Sequence, residues 1–81
     1  MVKSNIKAEK NLGELRVGQR GTISRVLLPA DYEQRLAELG LLPGADVEIV
    51  SMAPLGDPIA IECQGRRMGM RLCDARGIVL K

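Results

Sequence analysis

Residues 31–49 read DYEQRLAELGLLPGADVEI, and two periods meet inside this stretch. Tyr32, Leu36 and Leu39 fall at i, i+4 and i+7, one face of a helix, whereas Glu33 and Glu38 point elsewhere. Asp31 is placed to cap the helix, with Gln34 three residues on completing a capping box. Gly40 suits the left-handed position after the last turn, and Leu41 can reach back to Leu36. A helix over residues 32–39 follows, with Leu36 and Leu39 assigned to the core. Leu42-Pro43-Gly44-Ala45 then has proline and glycine at the two central positions of a type II turn. Beyond it the period falls to two, with Val47 and Ile49 alternating with Glu48.

Period two also governs the flanking regions. Ile59, Ile61 and Cys63 alternate with Ala60 and Glu62, and Met68, Met70 and Leu72 alternate with Arg67, Gly69 and Arg71. Such strands have one apolar and one wetter face, as in an antiparallel sheet over a single core. Thr22–Leu28 (TISRVLL) reads as an earlier strand, entered through a turn at Val17–Gly21, and Ile78–Leu80 as a short last one. Gln64-Gly65 is a tight link, Ala53–Pro58 a proline-bounded loop, and residues 72–76 a connector of about one helical turn. About five short strands with one inserted helix predict a mostly β, small SH3-like barrel. Residues 1–10 (MVKSNIKAEK) are polar and aperiodic, and read as a flexible tail before a single domain over 11–81.

The composition narrows the function. With 81 residues there is room for one domain, and its only aromatic side chain is Tyr32, so the core must be aliphatic. That argues against base stacking on single-stranded nucleic acid. A formal charge of +2, with both signs interspersed, does not predict nucleic-acid binding. No apolar stretch approaches the roughly 20 residues of a membrane span, so direct membrane insertion is not expected. No signal peptide is apparent, and the chain reads as cytoplasmic with reduced thiols.

Chemistry is hard to find. There is no histidine, and Ser24 and Ser51 lack a recognisable base, which predicts that the chain is not an enzyme. The glycines are read as single turn residues, and no phosphate-binding loop is present. Cys63 falls on the inward face of its strand and reads as an inert buried thiol. Two thiols without imidazole are too few soft ligands for a dedicated metal site, so none is expected, and no cofactor is expected either. What remains is docking. Within the basic cluster Arg66, Arg67, Arg71 and Arg76, Arg67 and Arg71 share the face opposite Met68, Met70 and Leu72 and form an exposed stripe able to grip carboxylates. Leu55, on the stiff loop Pro54–Pro58, suits insertion into a partner's pocket.

The run Arg35–Gly44 (RLAELGLLPG) resembles the R-L-x-E-L-G-L-x-P-G signature of the ferrous-iron transport protein A (FeoA) family. Further blocks match in order: Val47-Glu48, Ala53–Pro58 (APLGDP), Met70-Arg71 with Asp74-Ala75, and Ile78-Val79. Leu12–Gly21 (LGELRVGQRG) fits the family's opening pattern, so the likeness covers nearly all of Leu12–Leu80. Met70-Arg71-Leu72-Cys73-Asp74-Ala75 and Gly77 depart slightly from it. The resemblance implies a bacterial SH3-like accessory protein of ferrous-iron uptake. Its partner would be the membrane GTP-binding transporter FeoB, through that protein's cytosolic GTPase region or its membrane core, so the chain would lie peripheral to the inner membrane. Two alternatives accompany it. One is a metal-responsive regulatory domain like the C-terminal SH3-like domain of iron-dependent repressors, although no helix-turn-helix pattern precedes Leu12. The other is an iron carrier, which would require transition-metal binding. On the docking reading the contact residues are expected at Arg35, Leu41, Leu42 and Pro43, at Pro54, Leu55 and Asp57, and at Arg67 and Arg71. Exposed strand edges leave room for weak homo-oligomers.

Overall fold

In the computed structural model, which describes residues 9–81, the chain reversal after the first helix organises the molecule. Helix α1 (Ala30–Glu38) ends in a left-handed Gly40 at φ +99°. The Gly40 N–H donates to the Ala37 carbonyl at 3.0 Å, and the Leu41 N–H to the Leu36 carbonyl at 2.9 Å. Together these make a Schellman close, which satisfies carbonyls that the helix leaves open. Leu36 and Leu41, brought together by it, are both core residues. The type II turn follows as expected: the Ala45 N–H donates to the Leu42 carbonyl at 3.0 Å, and Gly44 takes φ +95°.

Five strands surround the core: β1 (Arg20–Val26), β2 (Asp46–Met52), β3 (Ile59–Cys63), β4 (Arg66–Met70) and β5 (Ile78–Leu80). A 3-10 turn (Leu12–Glu14) precedes β1, and a four-residue helix α2 (Leu72–Ala75) joins β4 to β5. All pairings are antiparallel, in the order β4-β3-β2-β1-β5. β1 serves two neighbours: residues 20–22 pair with β2 and residues 23–26 with β5, with a register shift between Ile23 and Arg25. A second shift lies in β2 between Ile49 and Ser51. Such irregularities bend strands and raise their twist, letting a short sheet curl over one core.

The core is aliphatic, as the single aromatic residue requires. Leu12, Ile23, Leu41, Ile49, Ile61 and Ile78 are fully enclosed, and among the described residues no polar or charged one is buried. The inward periods of β2 and β3 hold: Val47, Ile49, Ile59, Ile61 and Cys63 are all buried.

Several expectations are corrected. The helix begins at Ala30, and Asp31 makes no side-chain cap: Pro29 precedes the first turn, with its carbonyl accepting from the Glu33 N–H at 2.8 Å. Asp31 and Glu33 instead lie in the first turn, where the helix dipole favours them. Leu39 is not core but 38% exposed, because the chain turns away from the helix axis at that residue. The first long strand lies two residues earlier than expected, since Arg20 and Gly21 pair with Glu48 and Val47. Leu72 leaves the alternation of β4 and starts α2. Gly21 and Gly69 lie within strands and not at turns. The expected tail over 1–10 falls, for residues 1–8, outside the described residues. Its last residue is fixed, because the Lys10 carbonyl accepts from the Leu80 N–H at 2.8 Å.

Leu41 and Leu55 make a direct test of this arrangement. Leu41→Ala is expected to lower the unfolding free energy by about 2–5 kcal/mol through the cavity left behind. Leu55→Ala, at a 95% exposed side chain, should stay within about 0.5 kcal/mol of the parent. Urea denaturation of both variants checks the contrast.

Candidate functional site

An open groove of about 780 Å³ runs between α1 and β4. One wall is helical, from Asp31, Tyr32, Arg35, Leu36 and Leu39, and the other is Met68, Gly69 and Met70, with Arg71 and Asp74 at one end. Leu39 and Met68 offer partly exposed apolar surface there. The Arg35 guanidinium sits 5.8 Å from the Tyr32 ring centroid, a cation–π distance.

A polar network closes the Arg71 end. The Tyr32 hydroxyl donates to Asp74 Oδ2 at 3.2 Å, and Arg71 Nε approaches the same oxygen at 3.5 Å. This ties α1 to α2 across 42 positions of sequence. Burial pushes the Tyr32 phenol above its ordinary value of 10.0, and the Asp74 charge and hydrogen bond push it the same way. Asp57 anchors the neighbouring loop: its Oδ1 accepts from the Leu72 N–H at 2.9 Å, at the first residue of α2.

The expected docking residues separate. Arg35 and Arg71 line the groove. Arg67 is exposed on β4 and approaches Glu62 at 3.4 Å. Leu42 and Pro43 are exposed on the turn after α1 but lie outside the groove lining. Pro54 and Leu55 project from the loop between β2 and β3, where the Gly56 N–H closes a turn onto the Ala53 carbonyl at 2.7 Å. Leu55 thus does not fold back on the sheet. Leu41 is the correction: it is fully buried, because the Schellman close aims it at the core, and it offers no contact surface. Asp57, though exposed, has one carboxylate oxygen committed to the fold.

Sequence reading missed Tyr32, Asp74, Met68 and Gly69 as groove residues. Only Gly69 carried a local signal, since a glycine inside an alternating strand marks a place where another backbone can come close.

The two cysteines are free and in different surroundings, Cys63 buried and Cys73 exposed. Cys63 Sγ donates to the Gly40 carbonyl at 3.5 Å, and burial, then the Asp46 charge, pushes its thiol above 9.0. Both effects keep it protonated, the form that ligates metals poorly. Among the described residues no three Cys, Asp or Glu side chains converge as a metal site would need, and no helix is long and apolar enough to cross a membrane.

A family model described as FeoA domain matches residues 10–81. The solution structure of FeoA from Chlorobium tepidum is 39% identical, with a TM-score of 0.83 over 88% of this chain and 69% of that one. FeoA from Stenotrophomonas maltophilia, solved with zinc and described as a procaryotic SH3 domain protein, is 28% identical, with a TM-score of 0.77 over 89% of each chain. A manganese-dependent transcriptional repressor shares the fold at 15% identity, with a TM-score of 0.76 over 88% of this chain and 40% of that one. The five-stranded architecture is therefore SH3-like.

Because the chain has one tyrosine, phenolate absorbance reads Tyr32 alone. Its midpoint should lie above 10.0 in the folded protein, and Asp74→Asn should bring it down. Between the unfolded and folded midpoints the unfolded chain has lost the phenolic proton and the folded chain has kept it. Raising the pH through that window therefore favours unfolding. Stability is expected to fall above about pH 10, less so in Tyr32→Phe, as measured by urea denaturation across pH 9–11.

Proposed function

This chain belongs to the FeoA family, and from that premise we propose that it is a cytoplasmic accessory protein of bacterial ferrous-iron uptake that acts by docking on the FeoB transporter. It works through contact and not through catalysis. The single observation that carries docking is Leu55, whose side chain is 95% exposed on a short loop. The loop is held at both ends, by the Ala53–Gly56 turn and by the Asp57 bond to α2, so little entropy is lost when it enters a pocket. Burying one leucine contributes about 1.5–3 kcal/mol, enough to make it an anchor.

The experiment is titration against the transporter's purified cytosolic GTPase region and against the full transporter in detergent, each with and without a GTP analogue. The parent chain is expected to bind, and Leu55→Ala to bind about tenfold or more weakly with unchanged stability. Absence of binding in every nucleotide state removes the reading. The same reading predicts that Cys63→Ser together with Cys73→Ser leaves cellular ferrous-iron uptake intact wherever the double variant accumulates normally. Loss of uptake there would favour a carrier that holds the metal on its thiols.

A further inference from the structure

β4 is the end strand of the sheet, and its outer side is one wall of the groove. Gln64 and Gly65, at φ +57° and +79°, form the two-residue turn before it, closed by the pair Cys63–Arg66. Antiparallel pairs alternate between bonded and unbonded from such a closing pair. The N–H and C=O groups of Arg67 and Gly69 are thereby turned away from β3, toward the free edge. The sheet face at Gly69 is open as well: a Cβ built there would meet only the Ile59 carbonyl, at 3.9 Å. The groove thus combines an unpaired edge strand, a helix facing it and apolar surface between, from Leu39 and Met68.

We propose that this groove accepts an extended segment of a partner protein as an added strand on β4, and that the segment alternates acidic with apolar side chains. The proposal rests on the docking reading above and names the surface and the chemistry. Main-chain bonds to Arg67 and Gly69 would supply the pairing, and alternate side chains the selectivity. One set of the incoming side chains falls beside Arg67 and Arg71, and these call for carboxylates. The other set falls toward Met68 and Leu39 and calls for aliphatic groups.

Charge decides the occupant. Residues 66–71 (RRMGMR) hold three arginines and no acid. Arg66 has no ion pair among the described residues, and the contacts of Arg67 with Glu62 and of Arg71 with Asp74 involve largely exposed guanidinium groups. The Arg67–Glu62 pair, exposed on both sides, is worth about 1 kcal/mol or less and exchanges readily for a new carboxylate. Arg71 meets the part-buried Asp74 through Nε alone and keeps its other guanidinium donors for an incoming one. A second copy of this chain is a poor occupant. Two β4 edges joined antiparallel about Gly69 would set Arg67 of each against Arg71 of the other, like charges directly opposite. The arginines therefore discourage self-pairing while admitting an acidic strand.

Amide hydrogen exchange tests this directly. It is followed on the free chain and on its complex with the full transporter in detergent. In the free chain the Arg67 and Gly69 amides should exchange fast. In the complex they are expected to slow at least tenfold. Arg66→Glu combined with Arg67→Glu, two exposed positions, should weaken binding at least tenfold while circular dichroism and thermal midpoint stay native. Gly69→Pro, which deletes one edge N–H, should weaken it similarly if it folds. Binding that leaves the β4 amides unchanged overturns the added strand and leaves the docking reading standing. No binding at all removes both. Concentration-dependent protection of β4 without transporter assigns the edge to self-association and overturns the proposal.

Discussion

The left-handed backbone of Gly40 is the constraint on which the rest of this molecule depends. At φ +99° a side chain would be strained, and a Cβ there would also meet Gln64 Cγ at 3.1 Å. With glycine, the chain reverses in one residue and Leu41 drops into the core beside Leu36. The same reversal is held by three bonds from two other elements. The Gly44 N–H donates to the Ile23 carbonyl of β1, Ala45 accepts from the Ile23 N–H, and the Gly40 carbonyl receives the Cys63 thiol from β3. One turn thereby fixes the position of α1 against the sheet.

The groove follows from that position. α1 lies along the free side of β4 and is tied at one end by Tyr32 and Asp74 to α2. The core beneath is apolar, so apart from the Cys63 thiol the polar ties between these elements lie at the rim, where they orient elements without a large desolvation cost. Asp57 extends the same rim. By bonding the first N–H of α2 it links the loop that presents Leu55 to the helix that ends the groove. The two surfaces fitted for contact, loop and groove, thus share α2 as a common support.

The edge of β4 explains why three arginines crowd one short segment. An unpaired strand edge invites association, and positive charge restricts which strands can accept the invitation. On the proposed added strand, the residues that admit a partner are also those that discourage self-association.

Much of this was legible in the sequence. The helix end, the type II turn and the inward faces of β2 and β3 rest on local rules: a glycine that must be left-handed, a proline-glycine pair, a period of two. Those rules act over a few residues and hold whatever the rest of the chain does. The family was legible for the same reason, because its signature is largely that helix end and turn. Local pattern failed where a side chain's surroundings come from distant elements. Leu39 and Leu41 look alike in sequence, yet one is half-exposed beside β4 and the other enclosed, because the reversal between them points them opposite ways. Asp57 looks in sequence like a free surface carboxylate, yet one of its oxygens is bonded to the first N–H of α2. The groove itself joins residues 31–39 to residues 68–74, and no period within either segment encodes that meeting. Local backbone chemistry determined which elements form; packing of α1 and α2 around one aliphatic core decided which surfaces they leave open.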